Sequence, residues 1–300
     1  MGPRRWRPPS RSIAGGIDVT EGSRPMTSPS PAKRFNWGNL RTRVVSATVL
    51  VPTVVAAVWL GGYWFLALSL VCTGVLAREW GKISAPKAPN AVGAVVGLFC
   101  AIAVAAAFLH HFFVAWAVVL IGAFLAGLIA RGAVERRADA AYGVVYIAPA
   151  VIAMVWVRSL SDGLWWTLLL FVVTWFADIF AYVVGNLLKG PKLWPRISPN
   201  KTWSGFIGGL VAAAIGAVAV AELADLRLVW PAAALIGLLG GLATMAGDLW
   251  ESILKRRFGV KDSGDIIPGH GGLLDRVDGL MFAAIVIAAI RLIDHLKWHH

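Results

Sequence analysis

The chain has 300 residues, 58% of them hydrophobic and only 15% charged, with a mean hydropathy of +0.71. A water-soluble surface is excluded: apolar runs of about 17–22 residues, enough to cross a hydrocarbon core of about 30 Å, recur without the regular charges of a soluble bundle. The net charge of +12 does not point to nucleic acid, because the basic residues gather at the ends of apolar runs and not along one helix face.

Residues 1–42 are rich in Pro, Ser, Gly and Arg and lack apolar periodicity, so a disordered basic arm is expected there. Arg4-Arg5 makes a poor twin-arginine signal, since no apolar region follows within reach, and Met26 is a candidate start of translation. Nine candidate spans follow, at 44–61, 63–78, 91–109, 111–130, 142–159, 163–187, 203–221, 228–250 and 279–296. Residues 43–140 read as N-terminal transmembrane helices and 141–300 as a C-terminal transmembrane catalytic region. The short links Gly61-Gly62 and His110-His111 imply hairpins of adjacent helices, and Pro149 is expected to kink the fifth span. Cys72 and Cys100 lie inside apolar runs with neither metal-ligand spacing nor a disulfide framework. The expected fold is therefore all-α: a polytopic integral membrane protein of nine transmembrane helices with cytoplasmic active-site loops.

Orientation follows from the cations. With the N-terminus inside, 24 of the 28 Lys and Arg fall on inner segments, leaving Arg158, Arg227, Arg291 and Lys297 outside. That is a strong positive-inside signal, and it sets the loops 188–202 and 251–278 in the cytoplasm.

Those two loops hold the chemistry. On a helix continuing through GDLWESILKRRFG, Asp248, Glu251, Ser252 and Lys255 share one face, while Arg256 and Arg257 also suit a solvated helix end. Next, KDSGDIIPGHGGLLDRVDG (261–279) combines Lys261 and His270 with Gly264, Gly269, Gly271 and Gly272, whose freedom lets backbone approach phosphate oxygens. A helix beginning near Leu273 sets Asp275 and Asp278 one turn apart, with Arg276 beside them. Upstream, Asp178 lies inside a span, where a carboxylate costs roughly 2.5–3.5 kcal/mol unless paired or facing a wet cavity. Asp178, Tyr182, Gly185 and Lys189 share a face, and the following loop offers Lys192, Arg196, Ser198, Asn200, Lys201 and Thr202. Ser198-Pro199 also reads as a turn capping the seventh span, which leaves Ser198 between a binding and a structural role.

Carboxylates at a membrane surface suit Mg²⁺, and the surrounding cations suit polyanions. The physical reading is phosphoryl or nucleotidyl transfer onto a lipid. No G-x-x-x-x-G-K-[ST] stretch is present, so a P-loop enzyme is excluded.

The stretch SILKRRFGVKDSGDIIPGHGGLLDRVD, Ser252 to Asp278, resembles the signature of the phosphatidate cytidylyltransferases, and GDLWES, WFADIFAYVVGNLLKG and SPNKTWSGFIGG are similar to that family too. The likeness spans about residues 170–280 and fades before residue 140. It implies a bacterial inner-membrane enzyme that converts CTP and phosphatidic acid to CDP-diacylglycerol and pyrophosphate, with Mg²⁺ as cofactor and room for an accompanying K⁺. It implies metal ligation by Asp248 and Asp275, with Asp178 and Asp278 as next candidates, and a catalytic set completed by Lys255, Arg276 and His270. Substrate binding is expected from Ser198, Lys201, Thr202, Ser252, Arg256, Lys261, Gly271, Gly272 and Tyr182. The partners expected are CTP, phosphatidic acid and the lipid bilayer, without nucleic acid, and a homodimer is compatible. Two rivals remain: an ion-coupled transporter using Asp178, and a CTP-dependent polyprenol kinase, which would release CDP where the cytidylyltransferase releases pyrophosphate.

Overall fold

The computed structural model describes residues 37–131, 137–266 and 271–297. The arm up to residue 36, with Met26, and His270 lie outside the described residues. Nine helices occur among the described residues: α1 (Trp37–Leu60), α2 (Gly62–Ser84), α3 (Pro89–Phe108), α4 (Phe112–Ile129), α5 (Arg137–Ser159), α6 (Gly163–Leu188), α7 (Trp203–Leu223), α8 (Trp230–Arg257) and α9 (Leu274–Lys297). Each covers one of the expected spans. Six of them, α3 to α8, are long and apolar enough to cross a membrane. Helices suit such sequences because lipid offers no water to backbone N–H and C=O groups, and an α-helix satisfies them within one segment.

The outward faces match that reading. Phe113, Leu120 and Phe124 of α4 are 97%, 70% and 67% exposed, a greasy stripe that water does not tolerate and lipid does. The chain is thus a multi-pass, all-helical membrane protein. Pro149 lies inside α5, which runs unbroken from Arg137 to Ser159 and is buried along most of its length against α2, α3, α4, α6 and α9. Two apolar clusters meet on it: one built on α2–α5 around Trp80, Ile147 and Val104, the other on α6, α7, α8 and α9 around Leu169, Leu170 and Ile287. Cys100 is buried and Cys72 partly so; both are free thiols, as their surroundings required.

One all-helical expectation is refined. The loop after α6 contains a two-stranded antiparallel hairpin, β1 (Lys192–Trp194) and β2 (Ser198–Thr202), with Lys192 opposite Thr202, Trp194 opposite Ser198 and an irregularity between them. Pro199 is tolerated in so small a sheet, where few ladder donors are needed. Lys189 closes α6 with a left-handed φ of 54°, and Ser204 Oγ donates to its carbonyl, turning the chain back toward α7.

Helix approach in the C-terminal half depends on missing side chains, the usual means in membranes, where burying apolar surface gains little over lipid contact. A methyl group on Gly205 would come 2.5 Å from the Ala181 carbonyl, and one on Gly247 would come 2.4 Å from the Asp278 carbonyl. The second contact brings the α8 segment carrying Asp248 onto the first turns of α9. Gly247→Ala is expected to cost roughly 1–3 kcal/mol through overpacking, read as a lowered unfolding temperature in detergent. Gly74→Ala, where a methyl meets nothing within 4 Å, is expected to leave that temperature unchanged or slightly raised.

Candidate active site

The ends of α6 and α8, the start of α7, the hairpin and the start of α9 enclose a cavity of about 770 Å³. Its wall carries Asp178, Tyr182 and Asn186 of α6, Lys192 of β1, Asn200, Lys201 and Thr202 of β2, Asp248 of α8, and Asp275, Arg276 and Asp278 of α9. Four carboxylates and three cations therefore face one space. Gly185 and Gly205 let α6 and α7 close around it; a methyl on Gly185 would stand 2.9 Å from Thr202 Oγ1.

Each charged group is delivered by local structure. Thr202 caps α7, its Oγ1 accepting from the Gly205 N–H at 3.2 Å, and this fixes the end of β2. Lys201, one residue earlier, forms an ion pair with Asp248. Helix α8 continues beyond the apolar run, so Asp248, Glu251 and Lys255 share a face as expected; Lys255 Nζ lies 2.6 Å from Glu251 Oε2 and 2.7 Å from Asp275 Oδ1. Asp275 Oδ2 accepts from Ser263 N (3.0 Å), Ser263 Oγ (2.9 Å) and Gly272 N (3.2 Å). Burial pushes the Asp275 carboxyl up, but its bonds to Glu251, Lys255 and the Ser263 N–H outweigh burial and bring it to about 2. It stays ionised at any physiological pH.

The expected residues thus divide by position. Asp178, Tyr182, Lys201, Thr202, Asp248, Asp275, Arg276 and Asp278 line the cavity. Lys255 stands behind Asp275, and Gly272 uses its N–H on that same carboxylate. Gly271 turns with a φ of 85°. Ser198, Ser252, Arg256 and Lys261 are not on the cavity wall, and the cap of α7 that Ser198-Pro199 suggested is supplied by Thr202. His270 lies outside the described residues.

Sequence reasoning missed Glu79 of α2, which is fully buried and accepts from Leu273 N (2.9 Å) and Leu274 N (2.8 Å). The available signal was an absence. Leu273, at the position before α9, cannot cap a helix, so an acceptor had to come from elsewhere. Asn186 was likewise passed over, although it lies two turns from Asp178 on the cavity side of α6.

Asp178, Asp248 and Asp278 stand near enough to repel one another. Among the described residues no three His, Cys, Asp or Glu side chains hold a metal by themselves. Mg²⁺ does not require that, since it binds through one or two carboxylates and takes its other ligands from water and phosphate. An all-oxygen, mutually repelling set opening on a cavity suits such an ion: one or two of Asp248, Asp178 and Asp278 would serve as its ligands, while Asp275 is more fully engaged by protein donors.

The chain is 37% identical over 253 residues to the phosphatidate cytidylyltransferase of Brucella abortus biovar 1 (strain 9-941), covering 83% of this chain and 92% of that protein. It is 45% identical over 146 residues to the phosphatidate cytidylyltransferase of Staphylococcus haemolyticus (strain JCSC1435), covering 48% of this chain and 56% of that protein. The profile of the Cytidylyltransferase family matches residues 41–293, from α1 to the end of the cavity-bearing half. The match over most of the chain shows the family: the protein is a nucleotidyltransferase and belongs to the cytidylyltransferase family.

Proposed function

We propose that the chain is a Mg²⁺-dependent CTP:phosphatidate cytidylyltransferase of phospholipid biosynthesis, acting at the cytoplasmic face of a bacterial inner membrane. The observation that carries this reading is the single cavity in which Asp178, Asp248, Asp275 and Asp278 face Lys192, Lys201 and Arg276. A nucleoside triphosphate and a lipid phosphate are both polyanions, and a joint site needs cations for their oxygens and carboxylates for their counter-ion. The distribution of 24 of the 28 basic residues supports the cytoplasmic orientation.

In the reaction, a phosphate oxygen of phosphatidate forms a bond to the α-phosphorus of CTP while the bond from that phosphorus to the bridging β-phosphate oxygen breaks. Pyrophosphate leaves and CDP-diacylglycerol remains. The nucleophile is already ionised near neutral pH, so no general base is needed. Bound Mg²⁺ would neutralise charge on the phosphates as the displacement proceeds. Lys201 rests on Asp248 before substrate arrives; an incoming phosphate offers the ammonium a second partner and releases carboxylate oxygen toward the cavity. Arg276, adjacent to Asp275 on the first turn of α9, suits a bidentate hold on a phosphate. Lys255 holds Asp275 from behind and keeps its orientation. Tyr182, 74% exposed on the cavity rim, suits the ribose or base side of the nucleotide. K⁺ is retained in the proposal as an accompanying ion of unassigned position.

The deciding experiment incubates purified protein in detergent with CTP labelled at the α-phosphate, phosphatidic acid and Mg²⁺. Label in lipid with release of pyrophosphate, abolished by EDTA, is the expected result; release of CDP, or lipid without label, overturns the reading. Asp248→Ala is expected to lower kcat by at least about 10²-fold, the order lost with one electrostatic partner of a transition state, while the protein stays folded and membrane-inserted. Near-normal turnover at saturating Mg²⁺ would remove Asp248 from the metal site. Lys201→Ala is expected to raise KM for CTP or phosphatidic acid about tenfold; an unchanged KM for both would make this lysine a partner of Asp248 only.

A further inference from the structure

We propose that Glu79, on α2 and outside the cavity, is a positioning residue for the transfer reaction: its carboxylate holds the start of α9, and with it Asp275, Arg276 and Asp278, in working position. This rests on the function proposed above and names a part of the chain that function did not use.

Glu79 is 0% exposed. A carboxylate so deeply buried is costly unless donors surround it. Here Oε1 accepts from Leu273 N at 2.9 Å and Oε2 from Leu274 N at 2.8 Å, with Ser263 Oγ 3.5 Å from Oε2. Leu274 opens α9, so the carboxylate serves as that helix's N-terminal cap, contributed from a position nearly 200 residues earlier. It satisfies N–H groups that the helix cannot, and its negative charge complements the positive end of the helix dipole. The loop is shaped to admit it. A methyl on Gly264 would stand 3.0 Å from Glu79 Oε1, and one on Gly272 would collide with Ser263 Oγ at 2.0 Å and approach Glu79 Oε2 at 3.0 Å. Two glycines of the polar loop are therefore explained by closeness to Glu79 and Ser263.

The coupling to the site runs through one hydroxyl. Ser263 Oγ lies 2.9 Å from Asp275 Oδ2 and 3.5 Å from Glu79 Oε2, so it stands between cap and cavity. The neighbouring Trp80 fixes the other side of the same frame. It is fully buried, its Nε1 donates to the Asp139 carbonyl at 3.0 Å, and its ring meets Phe258 edge-on with centroids 5.7 Å apart. Asp139 in turn pairs with Arg257 in the last turn of α8. Two consecutive residues of α2 thus tie down the start of α9 and, through α5, the end of α8, the two elements whose carboxylates must meet. A shift of about 1 Å in such a constellation costs on the order of 10²-fold in rate.

Glu79→Gln keeps the shape and one acceptor oxygen but turns an NH₂ group toward a backbone N–H. Full-length variants are purified in detergent, the folded fraction is fixed by size exclusion, and kcat is taken per folded enzyme. The expected result is a kcat lowered 10- to 100-fold with KM for CTP changed less than threefold, a raised Mg²⁺ requirement, and amide exchange at Leu273 and Leu274 at least tenfold faster. Ser84→Ala is the control for simple destabilisation: its hydroxyl is buried on the same helix and donates to the Trp80 carbonyl at 2.7 Å. It is expected to lower the unfolding temperature with kcat per folded enzyme unchanged. A Glu79→Gln kcat within threefold of wild type, or a loss that Ser84→Ala reproduces, overturns the proposal. If wild type makes no CDP-diacylglycerol, the functional reading fails by itself, and unchanged protection of Leu273 and Leu274 in Glu79→Gln then overturns the cap as well.

Discussion

Lys255 bridges Glu251 and Asp275 at 2.6 and 2.7 Å, and this one ammonium ties the last turns of α8 to the first turn of α9. At the rim of a low-dielectric slab, acids gathered from three helices repel each other, and each needs a donor or counter-charge to remain ionised. Lys255 performs that service for Asp275 on the protein side of the site, and Lys201 for Asp248 on the cavity side. Breaking such a pair by removing one member is expensive because the other is left buried without compensation. The glycine contact of Gly247 with the Asp278 backbone serves the same junction, letting α8 pack close against the first turns of α9.

The pairing also explains how a site rich in both signs of charge avoids being occupied by itself. Lys255 is enclosed and held by two acids, whereas Lys201 lies at the cavity and has one. The Lys201–Asp248 pair faces the cavity and the Lys255 pairs face protein. Under the proposed function, a phosphate would recruit the first without disturbing the second, so binding would leave intact the frame that aligns Asp275 and Arg276.

Much of this was legible in the sequence because membrane proteins advertise their elements. The apolar runs marked all nine helices, and the spacing of Asp248, Glu251 and Lys255 fixed their common face once α8 was taken to continue past the apolar stretch. Asp178 could be read as facing polar surroundings because a lone carboxylate inside a span has few alternatives. Two things were not legible. The β1–β2 hairpin is short and polar, with Pro199 in a strand, and depends on the close passage of α6 and α7 more than on strand propensity. Glu79 was invisible because AREWGK resembles any solvated helix end, and its donors lie at the far end of the chain.

That separation has a temporal side. The stretch from α6 through β2 to α8 supplies Asp178, Lys201 and Asp248 as it emerges, but the cavity's remaining acids and Arg276 ride on α9, the last helix described. Its cap waits on α2, one of the first to be made. During synthesis Glu79 therefore lacks its Leu273 and Leu274 donors for most of the time the chain is being made, and acquires them only when the final helix docks. Until then the carboxylate has only water to bind, and the cavity lacks Asp275, Arg276 and Asp278, so the end of α2 and the cavity wall are completed by the same late docking of α9.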